Sequence, residues 1–189
     1  MRKLIFQEWL SLDGFAADAK GEVKFIESAA LNKYSDDDLL KMMDNIDAIL
    51  LGANTYRLFV DFWPTATTAQ EVIAESINQT PKFIFSSSME AAPWGHWPAA
   101  TLIKEEAVEA VKKMKAQQGK NIVLWGSISL AQAFMRANLI DEYHLRICPF
   151  TLGSGRLLFE NIGAMQLELF DTKQYESGLL QLRYRPVVL

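Results

Sequence analysis

NIVLWGSISLAQAFMRANLIDEYHLRICPFTLGSGRLLFE, residues 121–160, is the stretch whose reading decides the fold. It opens with a short apolar run, Ile122-Val123-Leu124-Trp125, of the length and composition of a buried strand. Gly126 and Ser127 follow at once, and Leu130, Ala131, Phe134 and Met135 then recur at helical spacing. A strand therefore stops at a small residue and a helix starts, with Ser127 or Ser129 available as N-cap. Such a junction exposes the first N–H groups of the helix, where the dipole also favours negative charge, and offers a seat for a phosphate. On these residues alone an ordinary strand-to-helix turn explains it equally well. Further on, Asn138 closes the helix, Asp141 to Ile147 reads as the next strand, and Cys148-Pro149 ends it. Leu152-Gly153-Ser154-Gly155 is a tight turn before the apolar patch Leu157-Leu158-Phe159, which suits either the core or an interface.

A second junction of the same kind lies upstream. Ile46 to Gly52 reads as a strand and Ala53 to Phe59 as the start of a helix, with Asn54 and Thr55 as side-chain donors at its open end. Before it, SDDDLLKMMDN (35–45) reads as a helix capped by Ser35 or Asp36, its acidic residues suiting the first turn. Residues 3–12, KLIFQEWLSL, read as a first, mostly buried strand running into Asp13-Gly14-Phe15. There Asp13 suits a local turn hydrogen bond and Gly14 a positive φ. Residues 67–79 have helix potential, Pro81 to Ser88 is a strand ending in three serines, and 104–117 is an amphipathic helix. Leu167–Phe170 and Leu179–Tyr184 flank Glu176-Ser177-Gly178 as a closing hairpin. Strands alternating with helices predict an α/β fold: a three-layer α/β/α sandwich with a mostly parallel central sheet and a C-terminal antiparallel hairpin. Ligands of such sheets bind beyond the carboxyl ends of the strands, where the junctions at Asp13, Gly52, Ser86 and Gly126 are expected.

The bulk numbers exclude several classes. At 189 residues, half of them hydrophobic, the chain is expected to form one domain over 1–189. A net charge of −4 without any Lys/Arg run argues against nucleic acid or an anionic membrane. The single cysteine, Cys148, permits no intrachain disulfide, and no signal or membrane-spanning run stands out, so a cytoplasmic location is expected. His96 and His144 lack partners at metal-ligand spacing, so no metal site is expected.

Taken together, Ser11-Leu12-Asp13-Gly14, Leu50-Leu51-Gly52-x-x-Thr55-Tyr56 with Trp63-Pro64, the serine-rich strand end at 86–88, Gly126-Ser127-Ile128, and the run through LIDEYHLRICP and LGSG resemble the dihydrofolate reductase-like superfamily. The resemblance covers nearly the whole chain and is greatest to the reductase domain of bacterial riboflavin biosynthesis and its stand-alone relatives. It implies an NADPH-dependent reductase, acting as a homodimer on a pyrimidine- or pterin-like heterocycle. The nearest named activity is 5-amino-6-(5-phosphoribosylamino)uracil reductase.

By the same resemblance Gly52, Asn54, Thr55, Ser86, Ser87, Gly126, Ser127, Ile128 and Ser129 would hold the cofactor, with Lys82 near its ribose phosphate. Trp9, Phe15 and Trp63 would meet the substrate. Asp13 and Asp36 would be catalytic, Asp36 standing for the carboxylate that assists protonation, with Asp37 and Asp38 as alternatives. Two departures bear on this assignment: Ala53 stands where the family often has Arg, and Ser127-Ile128 where it usually has further glycines. They give weight to an alternative, a dimeric nucleotide-binding module that keeps the fold without turnover.

Overall fold

The computed structural model describes residues 1–26 and 35–187. Its strands are β1 (Leu4–Leu10), β2 (Phe15–Ala17), β3 (Ile46–Gly52), β4 (Lys82–Phe85), β5 (Thr101–Ile103), β6 (Asn121–Trp125), β7 (Glu142–Ile147), β8 (Arg156–Leu157), β9 (Leu167–Gln174) and β10 (Leu180–Pro186). The helices are α1 (Ser35–Met43), α2 (Ala53–Val60), α3 (Ala74–Gln79), α4 (Ala107–Ala116) and α5 (Ile128–Arg136). Eight strands form one sheet in the order β5-β4-β3-β6-β1-β7-β10-β9. From β5 to β7 all neighbours are parallel; β10 runs antiparallel to both β7 and β9. The expected mostly parallel sheet with a closing hairpin is therefore observed. Of the segment 67–79, only Ala74–Gln79 is helical.

The continuous apolar runs are explained by position. Strands β3, β6 and β1 are central and covered on both faces, so both sets of alternating side chains are largely apolar, Gln7 and Glu8 of β1 being buried polar exceptions. Leu50, Ile122, Leu124, Leu4 and Phe6 point to one face, where Val111 and Met114 of α4 and Ala131, Phe134 and Met135 of α5 close the layer. Ile49, Leu51, Val123 and Ile5 point to the other, against Leu39 and Met43 of α1, Tyr56 of α2 and Ile77 of α3. Each fully buried Leu or Ile contributes about 2 kcal/mol. Leu158 belongs to the first of these layers and is fully buried, while its neighbours Leu157 and Phe159 are exposed.

Helix α5 shows how local sequence fixes the junction geometry. Asn138 is left-handed (φ 52°), Leu139 N–H donates to Phe134 O and Asn138 N–H to Met135 O, a Schellman stop. Its length is thus set, and its first turn stands at the carboxyl end of β6.

Candidate active site

The two strand–glycine–helix junctions meet and interlock. Gly126 is left-handed (φ 55°), and a Cβ there would come within 2.9 Å of Thr55 Oγ1 and Cγ2. A Cβ on Gly52 would come within 3.0 Å of Ser127 Oγ. Gly126 is therefore favoured by both its φ and its contact with Thr55, and Gly52 lets the second junction approach Ser127 closely. Ser127 is itself left-handed (φ 57°, ψ 58°), which turns its hydroxyl away from its own helix. Ser127 Oγ accepts the Gly52 N–H at 2.6 Å and lies 2.8 Å from Thr55 Oγ1. Ser127, one of the two serines expected as N-cap, stands at that position without making the cap bond, and among the described residues no side chain caps α2 either. Two helix N-termini with uncapped N–H groups, those of Ala53–Thr55 and Ile128–Leu130, line the same cleft.

That cleft has a volume of about 1320 Å³. Pockets for a single drug-sized ligand span roughly 300–1000 Å³, so this cleft exceeds what one such ligand requires. Aromatic side chains form one wall: Trp125, Phe59, Trp63 and Phe62, with successive centroids 5.1–6.0 Å apart. Trp125 is fixed by its indole N–H donating to Gln7 Oε1. Trp63 is held through its carbonyl, which accepts from Asn78 Nδ2 at 2.8 Å, while Asn78 Oδ1 accepts from the buried Trp94 indole.

Beyond Trp9 the cleft becomes ionic. Arg146, 1% exposed, stacks its guanidinium on the Trp9 ring at 4.8 Å and donates to Ser35 O at 2.7 Å. Its Nη1 lies 3.6 Å from Asp36 Oδ1. Burial pushes the Asp36 carboxyl above its ordinary range, against the pull of Arg146. Asp38 has a different place: the Lys173 ammonium and the Tyr175 hydroxyl bind its Oδ2 and, against the upward push of burial, hold it below that range. Of the three neighbouring aspartates, Asp36 is the one that lines the cleft.

The sequence-derived residues thus divide. Trp9, Asp36, Gly52, Asn54, Thr55, Trp63, Gly126, Ser127, Ile128 and Ser129 line the cleft. Asp13 does not: Ser11 Oγ, Leu152 N–H and Gly153 N–H all donate to its carboxylate, which clamps the loop after β1 to the turn at 152–153. These bonds, Ser11's first, hold its pKa near about 2. Phe15 pairs with Leu157 in the small β2–β8 ribbon, also off the cleft, although the following Ala16 and Ala17 line it. Ser86 Oγ accepts from the N–H groups of Ser88 and Met89 in a tight turn, and Ser87 is exposed beyond it, so neither lines the cleft. Lys82 points into the core, donating to Ile77 O and Asn78 O beside Trp94, and cannot read a phosphate.

Arg146 and Glu8 line the cleft without having been singled out in the sequence, as does Arg57, one helical turn beyond Ala53. Arg57 donates to Asn54 Oδ1 at 2.9 Å and supplies a cation to the end of the cleft that holds the α2 N-terminus. The signal for it was the i,i+4 spacing from Ala53. Lys20 and Arg156, both exposed, add further cations to the cleft lining. His144 is buried beside Glu142, away from the cleft, and among the described residues no group of three His, Cys, Asp or Glu could hold a metal ion. No helix among the described residues is long and apolar enough to cross a membrane.

Comparison with known proteins adds four findings. The family model for the RibD C-terminal domain matches residues 2–181. The uncharacterised protein YyaP of Bacillus subtilis (strain 168) is 27% identical over 186 residues, 97% of this chain and 94% of that one. Among solved structures, a Shewanella sp. PV-4 protein named for riboflavin biosynthesis superposes with a TM-score of 0.79 at 23% identity, covering 98% of this chain and 99% of that one. Dihydrofolate reductase from Enterococcus faecalis, solved with NADP(H), superposes with a TM-score of 0.61 at 9% identity, covering 97% and 96%. At these identities the two structures establish the fold.

Proposed function

The chain belongs to the RibD C-terminal domain family, and on that premise we propose that it is an NADPH-dependent reductase of a small pyrimidine- or pterin-like heterocycle. One observation carries the reading. A single cleft is lined both by two helix N-termini without side-chain caps and by the Asp36–Arg146 pair beside Trp9. The first arrangement suits a pyrophosphate, since free N–H groups and helix dipoles both favour it. Gly52, Asn54, Thr55, Gly126, Ser127, Ile128 and Ser129 would hold the cofactor there, mainly through backbone, because the Thr55 and Ser127 hydroxyls face each other. Arg57 is the cation available for a 2′-phosphate in place of the missing Arg at 53.

Bound in this cleft, the reduced nicotinamide would supply the hydride. The chain's own work is to orient the heterocycle against Trp9 and Trp63 and to hold a proton at Asp36, whose raised pKa favours the acid form. A phosphorylated ribose on the substrate would find Lys20 and Arg156 in the cleft lining. In the same reading the chain pairs with a second copy and works in a reducing compartment.

The test is NADPH oxidation followed by absorbance in the presence of 5-amino-6-(5-phosphoribosylamino)uracil and a panel of pyrimidines and pterins. Substrate-dependent oxidation is expected. Saturable cofactor binding with no oxidation by any member of the panel would favour the non-catalytic binding module instead.

A further inference from the structure

Gln7 is an amide in the cleft lining to which the foregoing mechanism gives no task. It stands on β1 opposite Trp125 of β6 and His144 of β7. By strand alternation its side chain shares the β1 face of Ile5 and Trp9. It is 5% exposed and, like Trp9 and Trp125, lines the cleft. The Trp125 indole N–H can only donate, and it donates to Gln7 Oε1. A donor-only neighbour thus fixes which end of the amide is oxygen. The two N–H donors of Nε2 point elsewhere, and among the described residues they have no hydrogen-bond partner. Nor are they sealed off: the polar atoms closed to solvent without a partner are Glu8 Oε2 and Arg146 Nε, and Gln7 Nε2 is not one of them.

A free glutamine offers either a donor or an acceptor by a half-turn of its amide. Gln7 is denied that choice. The turned amide would set Nε2 against the Trp125 N–H, donor against donor, and lose a buried bond. We propose that Gln7 is a specificity-determining residue of the cleft: its amide, oriented by Trp125, donates to a carbonyl oxygen of the bound ligand and discriminates against an amino group at that point. This deepens the reductase reading and rests on it. Two sources carry the required chemistry, the carboxamide of a nicotinamide and a ring carbonyl of a uracil-like or oxopterin-like heterocycle. An amino group facing Nε2 leaves donors unpaired on both sides of the contact.

Nitrogen–proton NMR of the full chain tests the proposal. The Gln7 amide pair is assigned by its loss in Gln7→Met and Gln7→Leu, and the Trp125 indole signal by its loss in Trp125→Phe. In ligand-free protein, Gln7→Leu should move the Trp125 indole proton upfield, because it removes the acceptor. An unmoved indole signal overturns the fixed orientation, and the proposal with it, whether or not anything binds. NADPH shifts the amide pair downfield if the carboxamide is the acceptor; 5-aminouracil added to the NADPH complex shifts it if the heterocycle is. Gln7→Met should bind the responding probe about three- to tenfold more weakly than wild type. Where that probe is 5-aminouracil, Gln7→Met should bind 2,4,5-triaminopyrimidine, which has amino groups in place of both carbonyls, at least as well as wild type does. Equal losses for the two pyrimidines would make Gln7 a structural support and overturn the proposal. An amide pair unmoved by both probes, while tryptophan fluorescence reports bound NADPH, overturns it and leaves the reductase reading standing. Failure of NADPH to bind removes the reductase reading. In that case 5-aminouracil alone either shifts the amide pair, which keeps the Gln7 contact, or leaves it unmoved, which removes the proposal too.

Discussion

Ser127 Oγ accepts the Gly52 N–H at 2.6 Å, across 75 residues of sequence, and so joins the two junctions that open onto the cleft. The left-handed backbone of Ser127 costs about 1–2 kcal/mol relative to an ordinary conformation, and the bond it makes possible returns a comparable amount. Ser127→Ala keeps the strain and loses the bond, so it should destabilise by about 1–2 kcal/mol. Ser127→Gly loses the bond but relieves the strain, and should cost less. Urea denaturation of the two variants checks the order; Gly falling below Ala would show that the backbone carries no strain there.

Asp36 lines the cleft beside a guanidinium that is otherwise buried. Asp36→Asn keeps an amide oxygen for Arg146 but has no acidic proton. Turnover should fall by about 10²–10⁴-fold, the usual contribution of a positioned acid. NADPH affinity should stay within about twofold of wild type. Unchanged turnover in a folded variant would remove Asp36 from the chemistry.

Glu8 imposes a pH dependence on stability whose sign is fixed. Its folded pKa of about 8 stands above the ordinary 4.5, so the folded chain holds a proton that the unfolded chain releases. Its contribution is complete below the ordinary value and is lost as pH rises through the folded one. Relative to Glu8→Gln, wild type should therefore lose about 5 kcal/mol between those limits, at about 1.4 kcal/mol per pKa unit. Denaturant midpoints of both proteins across this range supply the comparison. Parallel profiles would mean that Glu8 is ionised when folded.

Arg57 lines the cleft one helical turn beyond Ala53, and in the proposed reading it serves as the phosphate-binding cation. A charge-assisted phosphate contact contributes about 1.5–3 kcal/mol, or roughly 10- to 100-fold in affinity. Arg57→Ala should lower NADPH affinity by that factor and leave NADH affinity nearly unchanged. Equal losses for both cofactors would assign Arg57 to some other part of the cleft.

The sequence made the Gly52 and Gly126 junctions legible because each follows an apolar run and precedes a helical repeat. Asp36 was legible as the start of an acidic, amphipathic helix. Glu8 was not. KLIFQEWL reads as a mostly buried strand in which Gln7 and Glu8 are the polar members, and nothing in the pattern marks Glu8 as covered; the position of β1 between β6 and β7 buries it. Arg146 misleads in the same way, alternating with Glu142 and His144 in β7, yet that face is covered by α1 and Trp9. Ser86 and Ser87 terminate β4, one strand beyond β3, while the interlocked junctions belong to β3 and β6. Ser127 looked like an N-cap; its left-handed φ, invisible in sequence, sends the hydroxyl to the neighbouring junction instead.

Three of the five tryptophans, Trp9, Trp63 and Trp125, line the cleft, so a ligand filling it will change the intrinsic fluorescence. Titration with NADPH, and in parallel with NADH, is the most direct test of the cofactor reading. Saturable quenching with tighter binding of NADPH is the predicted result. An unchanged tryptophan signal with both cofactors, with calorimetry also detecting no binding, would contradict it.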